Sequence, residues 1–234
     1  MGLSIFSLVI GAAAGVLAWA VRGKSSSLLA PSVWRGPQSR RAIALTFDDG
    51  PSESTPRILE LLAVHNARAT FFMCGANAAR LPAIARQAAE AGHEIGNHGY
   101  QHSRFDFRAR EFMRADMEDA QRAIAAAAGV TPVLFRAPYG VRWFGLGWVQ
   151  RALGLTGVMW SAIGLDWKLP PEKAAKRLLS AAGNGAIFCL HDGRGKVQNP
   201  DVDATLGALA ILIPELRKKG FELVTVTELL RKSP

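Results

Sequence analysis

Cysteine is scarce in this chain of 234 residues: Cys74 and Cys189 are the only two. Two thiols build no disulfide framework and decide no compartment. Each sits in an apolar run (TFFMC, AIFCL), where a thiol acts as a small hydrophobe. Acidic residues are short as well, 19 against 28 Lys and Arg, for a formal net charge of +9. No acid lies between Arg22 and Arg41, where Arg22, Lys24, Arg35, Arg40 and Arg41 concentrate the excess. The remainder is nearly balanced and shows no nucleic-acid motif, so nucleic acid is excluded as a partner. Anionic lipid headgroups explain that placement better.

Charge is missing altogether from Leu3 to Val21 (LSIFSLVIGAAAGVLAWAV). A run of that length is close to the roughly 20 residues that cross a bilayer as a helix. A retained single-span anchor competes with a secretory signal cut after Ala18-Trp19-Ala20. The lack of basic residues before Leu3 favours the anchor, and the cations after the span predict a cytoplasmic domain by the positive-inside rule. The expected organisation is a transmembrane helix or signal anchor over 1–21, a basic linker over 22–40, and one domain over 41–234. That length supports a single sizeable core.

After the linker the apolar runs are short and regular. Buried strands are predicted at 42–47, 70–73, 93–96, 133–136, 156–160, 186–190 and 221–225. Between them fall helices at 55–66, opened by Thr55 as N-cap with Pro56 behind it, at 78–91 stopped by Gly92, and at 109–128 stopped by Gly129. Others follow at 146–153, 171–182, 203–219 and 227–232. Strand-helix alternation implies parallel strands with right-handed crossovers, in an α/β sheet or a closed barrel. In both, function gathers where strands end.

The unusual polar residues obey that rule. Asp48 and Asp49 end the first strand in "LTFDDGPSES", a stretch whose Asp-Gly-Pro is equally ordinary turn chemistry. His98 and His102 follow the third strand in "NHGYQH", Arg136 ends the fourth, Asp166 follows the fifth and His191 the sixth. Two imidazoles and one carboxylate make a three-ligand site with an open position for water, as in catalytic zinc sites. The second carboxylate is then free to accept a proton.

In that order and spacing, "TFDDG", "HGYQH", "RAPYG", "LDW" and "FCLH" resemble the polysaccharide deacetylases with a NodB-like domain, carbohydrate esterase family 4, over about residues 41–231. The resemblance implies a distorted (β/α)7 barrel and metal-dependent hydrolysis of the linear amide that joins an N-acetyl group to a sugar. It implies Asp49, His98 and His102 as metal ligands, for a divalent ion that is zinc first and cobalt or manganese otherwise. Asp48 would be the general base and His191 the general acid. Arg136 would orient Asp48, Asp166 would keep His191 protonated, and the Tyr139 N–H would help stabilise an oxyanion. Trp143 and Trp167, from a cluster of four tryptophans at 143–167, are expected near the sugar.

Two positions depart from the family. Ile163 stands three residues before the LDW Asp where another Asp is common, which reduces the charge tuning His191. Gly99 stands where Ser or Thr is usual, which removes a hydroxyl behind the ligand histidine. Other polar residues read as structural: His65 as a helix cap, His93 as a hydrogen-bonder, and Asp116, Glu118 and Asp119 as the wet face of a helix. The expected substrate is an amino-sugar glycan such as peptidoglycan or a chitin-like oligomer. A lipid-linked amino sugar losing an acyl or formyl group is the runner-up, and a non-catalytic glycan-binding protein is the alternative of a different class.

Overall fold

The computed structural model describes residues 2–231, with side chains from residue 7 onward. Helix α1 (Gly2–Arg22) comes first, followed by the short strand β1 (Ser32–Val33) inside the segment expected to be linker. The apolar run 42–47 forms β2 (Ala42–Asp48), buried along its whole length. There follow α2 (Thr55–Val64), β3 (Thr70–Met73), α3 (Gly75–Arg80), α4 (Pro82–Glu90), β4 (Glu94–Asn97) and α5 (Arg110–Ala128). The helix predicted at 78–91 is thus two, because Pro82 has no N–H to continue the first and instead opens the second. The second half runs through β5 (Leu134–Phe135), a 3-10 turn at Pro138–Gly140, α6 (Leu146–Ala152), β6 (Thr156–Val158) and β7 (Ala162–Ile163). It ends with α7 (Pro171–Ser180), β8 (Ala186–His191), α8 (Asp203–Lys218), β9 (Glu222–Val224) and α9 (Val226–Leu230). Residue 232, the predicted end of the last helix, lies outside the described residues.

The strands form one sheet in the order β1-β6-β5-β4-β3-β2-β8-β7, with β9 pairing the start of β2. Every ladder between these strands is parallel. The path ends at β1 and β7, which do not pair, so the sheet is an open arc, a half-barrel that fits the distorted barrel type expected. Among the described residues nine strands stand where seven were predicted, β1 and β7 being the two added ones. Side chains of β2 alternate between its faces: Ile43, Leu45 and Phe47 pack under α2 and α8, while Ala42 and Ala44 meet Phe72, Val158 and Ile187 inside the arc. Thr46 and Asp48 continue the inner face, which is how a core strand delivers a carboxylate to the centre of its own rim.

The predicted membrane span is not supported. Among the described residues no helix is long and apolar enough to cross a membrane. The stretch 11–15 is only Gly and Ala, which contribute little hydropathy, and the end of α1 belongs to the domain: Ala20 is buried, and the Val21 carbonyl accepts the Arg142 N–H at 3.0 Å. With the span goes the single-span membrane localisation. The side chains of Leu3 to Phe6, also assigned to it, lie outside the described residues.

Candidate active site

Strand register decides which residues meet. In the β2–β8 ladder Asp48 lies opposite His191, and β4 carries His98 one residue past its end, beside β5 and Arg136. The result is a cleft of about 640 Å³ lined by Asp48, Asp49, His98, His102, Tyr139 and His191 among others. Asp49, His102 and Tyr139 all adopt positive φ, at 76°, 55° and 59°. That region is uncommon for residues with a Cβ and clusters at functional sites.

One side of the cleft gathers ligand atoms. Asp49 Oδ1 is 3.0 Å from His102 Nε2 and 3.4 Å from His98 Nε2. The three residues each offer one atom, all within 4.8 Å of one another, and could hold a metal ion. Their surroundings fit such use. His98 Nδ1 lies 2.8 Å from the Arg136 carbonyl, which fixes the proton there and leaves Nε2 facing the site. Asp49 Oδ2 accepts the Gly195 N–H at 2.9 Å. Burial raises the Asp49 pKa, but hydrogen bonds and charge from His102 and His98 outweigh it and hold the carboxyl well below the usual range.

The other side holds a paired carboxylate and a paired histidine. Asp48 Oδ1 pairs with Arg136 Nη1 at 2.6 Å, and both side chains are buried. Arg136 is further held by the Thr46 hydroxyl (2.7 Å) and the Val158 and Met159 carbonyls, with its guanidinium 4.1 Å from the centre of the Phe72 ring. Removing one partner of such a pair typically costs about 3–5 kcal/mol. His191 Nδ1 bonds Asp166 Oδ1 at 3.0 Å, and Asp166 Oδ2 accepts both the His191 N–H (2.9 Å) and the Thr205 hydroxyl (2.7 Å). Burial lowers the His191 pKa, yet Asp166, with Asp49 and Asp48 behind it, raises it above its ordinary value. Trp167 stands edge-on to His191, ring centres 4.7 Å apart.

Asp48, Cys189 and His191 also bring ligand atoms within the same distance, but they make a poor metal site. Asp48 is already neutralised by Arg136, and burial pushes the Cys189 thiol well above its ordinary pKa, so no thiolate is offered. The thiol instead faces Asp48 Oδ2, with Sγ at 3.4 Å.

All ten residues singled out in the sequence lie at or beside this rim except Trp143. That ring packs on Phe107 (4.5 Å between centres) and Phe144 (5.3 Å), outside the cleft lining, where Trp160 stands in its place. In the 3-10 turn the Gly140 and Val141 N–H groups return to Ala137 and Pro138, while the Tyr139 N–H takes part in no backbone bond of that turn.

Several site residues escaped the sequence. Thr55 does not cap α2: Ser54 stands at the N-cap position, and the Thr55 hydroxyl bonds Asp192 Oδ2 at 2.7 Å. Asp192 is fully buried with Oδ1 unpartnered, and burial, helped by Asp49 and Asp48, pushes its pKa up to about 7. A Cβ at Gly50 would collide with that carboxylate. Asn77 donates to the Asp49 and Gly195 carbonyls at 2.8 Å each. Asp116 is not on a wet face. It is buried and accepts the Tyr100 N–H at 2.9 Å. Its place on the stripe of Met113, Met117, Ala120 and Ile124 was the available signal. Gly99 has φ +74° and would put a Cβ 2.6 Å from Asp116 Oδ1, so the backbone itself demands glycine there. His93 is the structural hydrogen-bonder expected, accepting the Ala69 N–H on Nδ1 at 3.2 Å, with burial pushing its pKa down to about 4.

Comparison with known proteins agrees with this architecture. Residues 35–158 match the family model for polysaccharide deacetylase. The chain is 37% identical over 202 residues to a peptidoglycan-N-acetylglucosamine deacetylase of Bacillus cereus, covering 85% of this chain and 92% of the relative. It is 37% identical over 195 residues to a chitooligosaccharide deacetylase of Azorhizobium caulinodans, covering 80% and 93%. Among solved structures, a mutant of a CE4 family pseudoenzyme with restored enzymatic activity superposes with a TM-score of 0.79 at 29% identity, covering 87% of this chain and 72% of that one. A fold shared with a pseudoenzyme makes the side chains decisive, and the family is fixed by sequence and fold together: the chain belongs to the polysaccharide deacetylase family.

Proposed function

We propose that this protein hydrolyses N-acetyl groups from an amino-sugar glycan of the peptidoglycan or chitooligosaccharide kind. The observation that carries the proposal is the convergence in one cleft of a three-donor cluster, an Arg-paired carboxylate and a histidine held by a carboxylate. The names of the relatives supply the substrate class.

Asp49, His98 and His102 are the residues that would hold a divalent ion, and two imidazoles with one carboxylate favour zinc over harder cations. When bound, such an ion supplies Lewis-acid polarisation of the acyl oxygen and eases the ionisation of water. Asp48, paired with Arg136, takes the proton from the attacking water. His191, kept protonated by Asp166, gives a proton to the departing amine nitrogen, without which an amide releases a very poor leaving group. The Tyr139 N–H donates to the developing oxyanion. Trp160 and Trp167 offer ring faces to the sugar at the cleft wall.

The test is release of acetate from N-acetylated oligosaccharides with zinc, with cobalt and with chelator, beside Asp48→Asn. Turnover that chelator abolishes, and that the variant lowers by about 10² to 10⁴ while keeping its metal, is the expected result. Protein that holds zinc but frees no acyl group would make it a non-catalytic binder.

A further inference from the structure

We infer that the cleft is built for an N-acylated amino sugar that also carries a negative charge, held by Arg22, Arg194 and Lys196; this rests on the deacetylase reading above. Four cations line the cleft: these three and Arg104. Arg104 is closed off by a two-pronged bond to Asp106, at 3.0 and 2.6 Å. The other three pair with no carboxylate among the described residues. Arg194 Nη1 turns to the Gly193 carbonyl at 2.8 Å, and Lys196 Nζ meets the neutral Gln101 side chain at 3.1 Å. The acids that line the cleft are already engaged, Asp48 by Arg136 and Asp49 by two imidazoles. Asp106 feels the charge of Arg22 and Asp166 that of Arg194, but among the described residues no carboxylate contacts any of the three cations, so the charge at this mouth is positive on balance.

Isolated surface cations are ordinary and mean little. Here they converge from distant parts of the chain, and the convergence has a buried cause. Arg22 ends α1, and the segment behind it is fastened by Arg142, whose side chain is almost fully buried and bonds the Gly23 and Ser26 carbonyls while its own N–H bonds Val21. Arg142 Nε has no partner, and burial lowers the Arg142 pKa. The fold thus tolerates a costly buried guanidinium, and one result is Arg22 at the cleft. Arg194 and Lys196 come from the loop after β8, directly behind His191. Concave walls focus such a field, and guanidinium groups bind carboxylate or phosphate oxygens with paired hydrogen bonds. A wholly neutral glycan uses none of this. A carboxylate or a phosphate near the N-acyl sugar uses all of it.

The experiment compares kcat/KM of the zinc-loaded full chain on three N-acetylated oligomers of equal length: a neutral chitooligosaccharide, a peptidoglycan fragment with free carboxylates, and a phosphorylated chitooligosaccharide. At low salt at least one anionic oligomer should be favoured about tenfold, the preference fading as salt rises. Whichever anion is favoured identifies the group. Arg22→Gln and Arg194→Gln should each cut that preference about threefold, chiefly through KM, while Lys218→Gln, on an exposed pair with Glu215, should keep it. Equal turnover of all three oligomers, or variants that keep the full preference, would overturn the inference and leave the deacetylase reading standing. Failure to turn over any oligomer would overturn both.

Discussion

The two sides of the cleft solve opposite electrostatic problems. On one side each acid has its own basic partner: Arg136 sits on Asp48, and the His191 ring sits on Asp166. On the other side Asp49 faces two imidazoles and, among the described residues, no guanidinium or ammonium. On the proposed function, protein charge is balanced where a proton would be kept or taken, and left open where an external ion would complete the site. Adjacent residues of one strand end, Asp48 and Asp49, fall on either side of that divide.

Breaking the open side should have the largest effect. His102→Ala removes one of three donors, so zinc content should fall from about one equivalent toward none, with activity at background; metal analysis and acetate release check both, and full zinc occupancy in the variant would contradict the assignment. On the balanced side the effect should be graded. Because Asp166 outweighs burial and raises the His191 pKa above its ordinary value, activity should persist to higher pH than an ordinary histidine acid would allow and fall as pH rises through the raised pKa. Asp166→Asn removes the main raising partner, so the alkaline limb should move to lower pH and the rate along that limb should drop about tenfold. A limb that stays put in the pH profile would separate Asp166 from the acid.

The smallest effect is on stability, behind the ligand loop. Gly99→Ser restores the residue common in the family, but at φ +74° and against Asp116 it should cost about 1–3 kcal/mol, read as a lower Tm in thermal unfolding. An unchanged Tm would mean that the loop has another conformation open to it.

Much of the scaffold was legible because burial writes itself into sequence. β2, β3 and β8 are continuous apolar runs, and Gly129 closes α5 in the left-handed conformation expected of such a glycine. Strands β1 and β7, at two residues each, are too short to show any period. The apolar character of α1 was visible, but hydropathy alone could not reveal that its end is tied to Arg142, more than a hundred residues later. The same limit hid Cys189 against Asp48 and Thr55 against Asp192, pairs that only strand register brings together. The motif residues themselves were found because each stands at a strand end, where a charged side chain in an apolar context has no structural use.

Arg136 touches both halves at once: its guanidinium braces the Asp48 carboxylate while its carbonyl steadies the His98 ring. One amino acid therefore acts as the ruler between the two groups. Any shift of the main chain at that point moves both ends together, so the separation of the Asp48 carboxylate from the His98 ring is set by the length of a single residue.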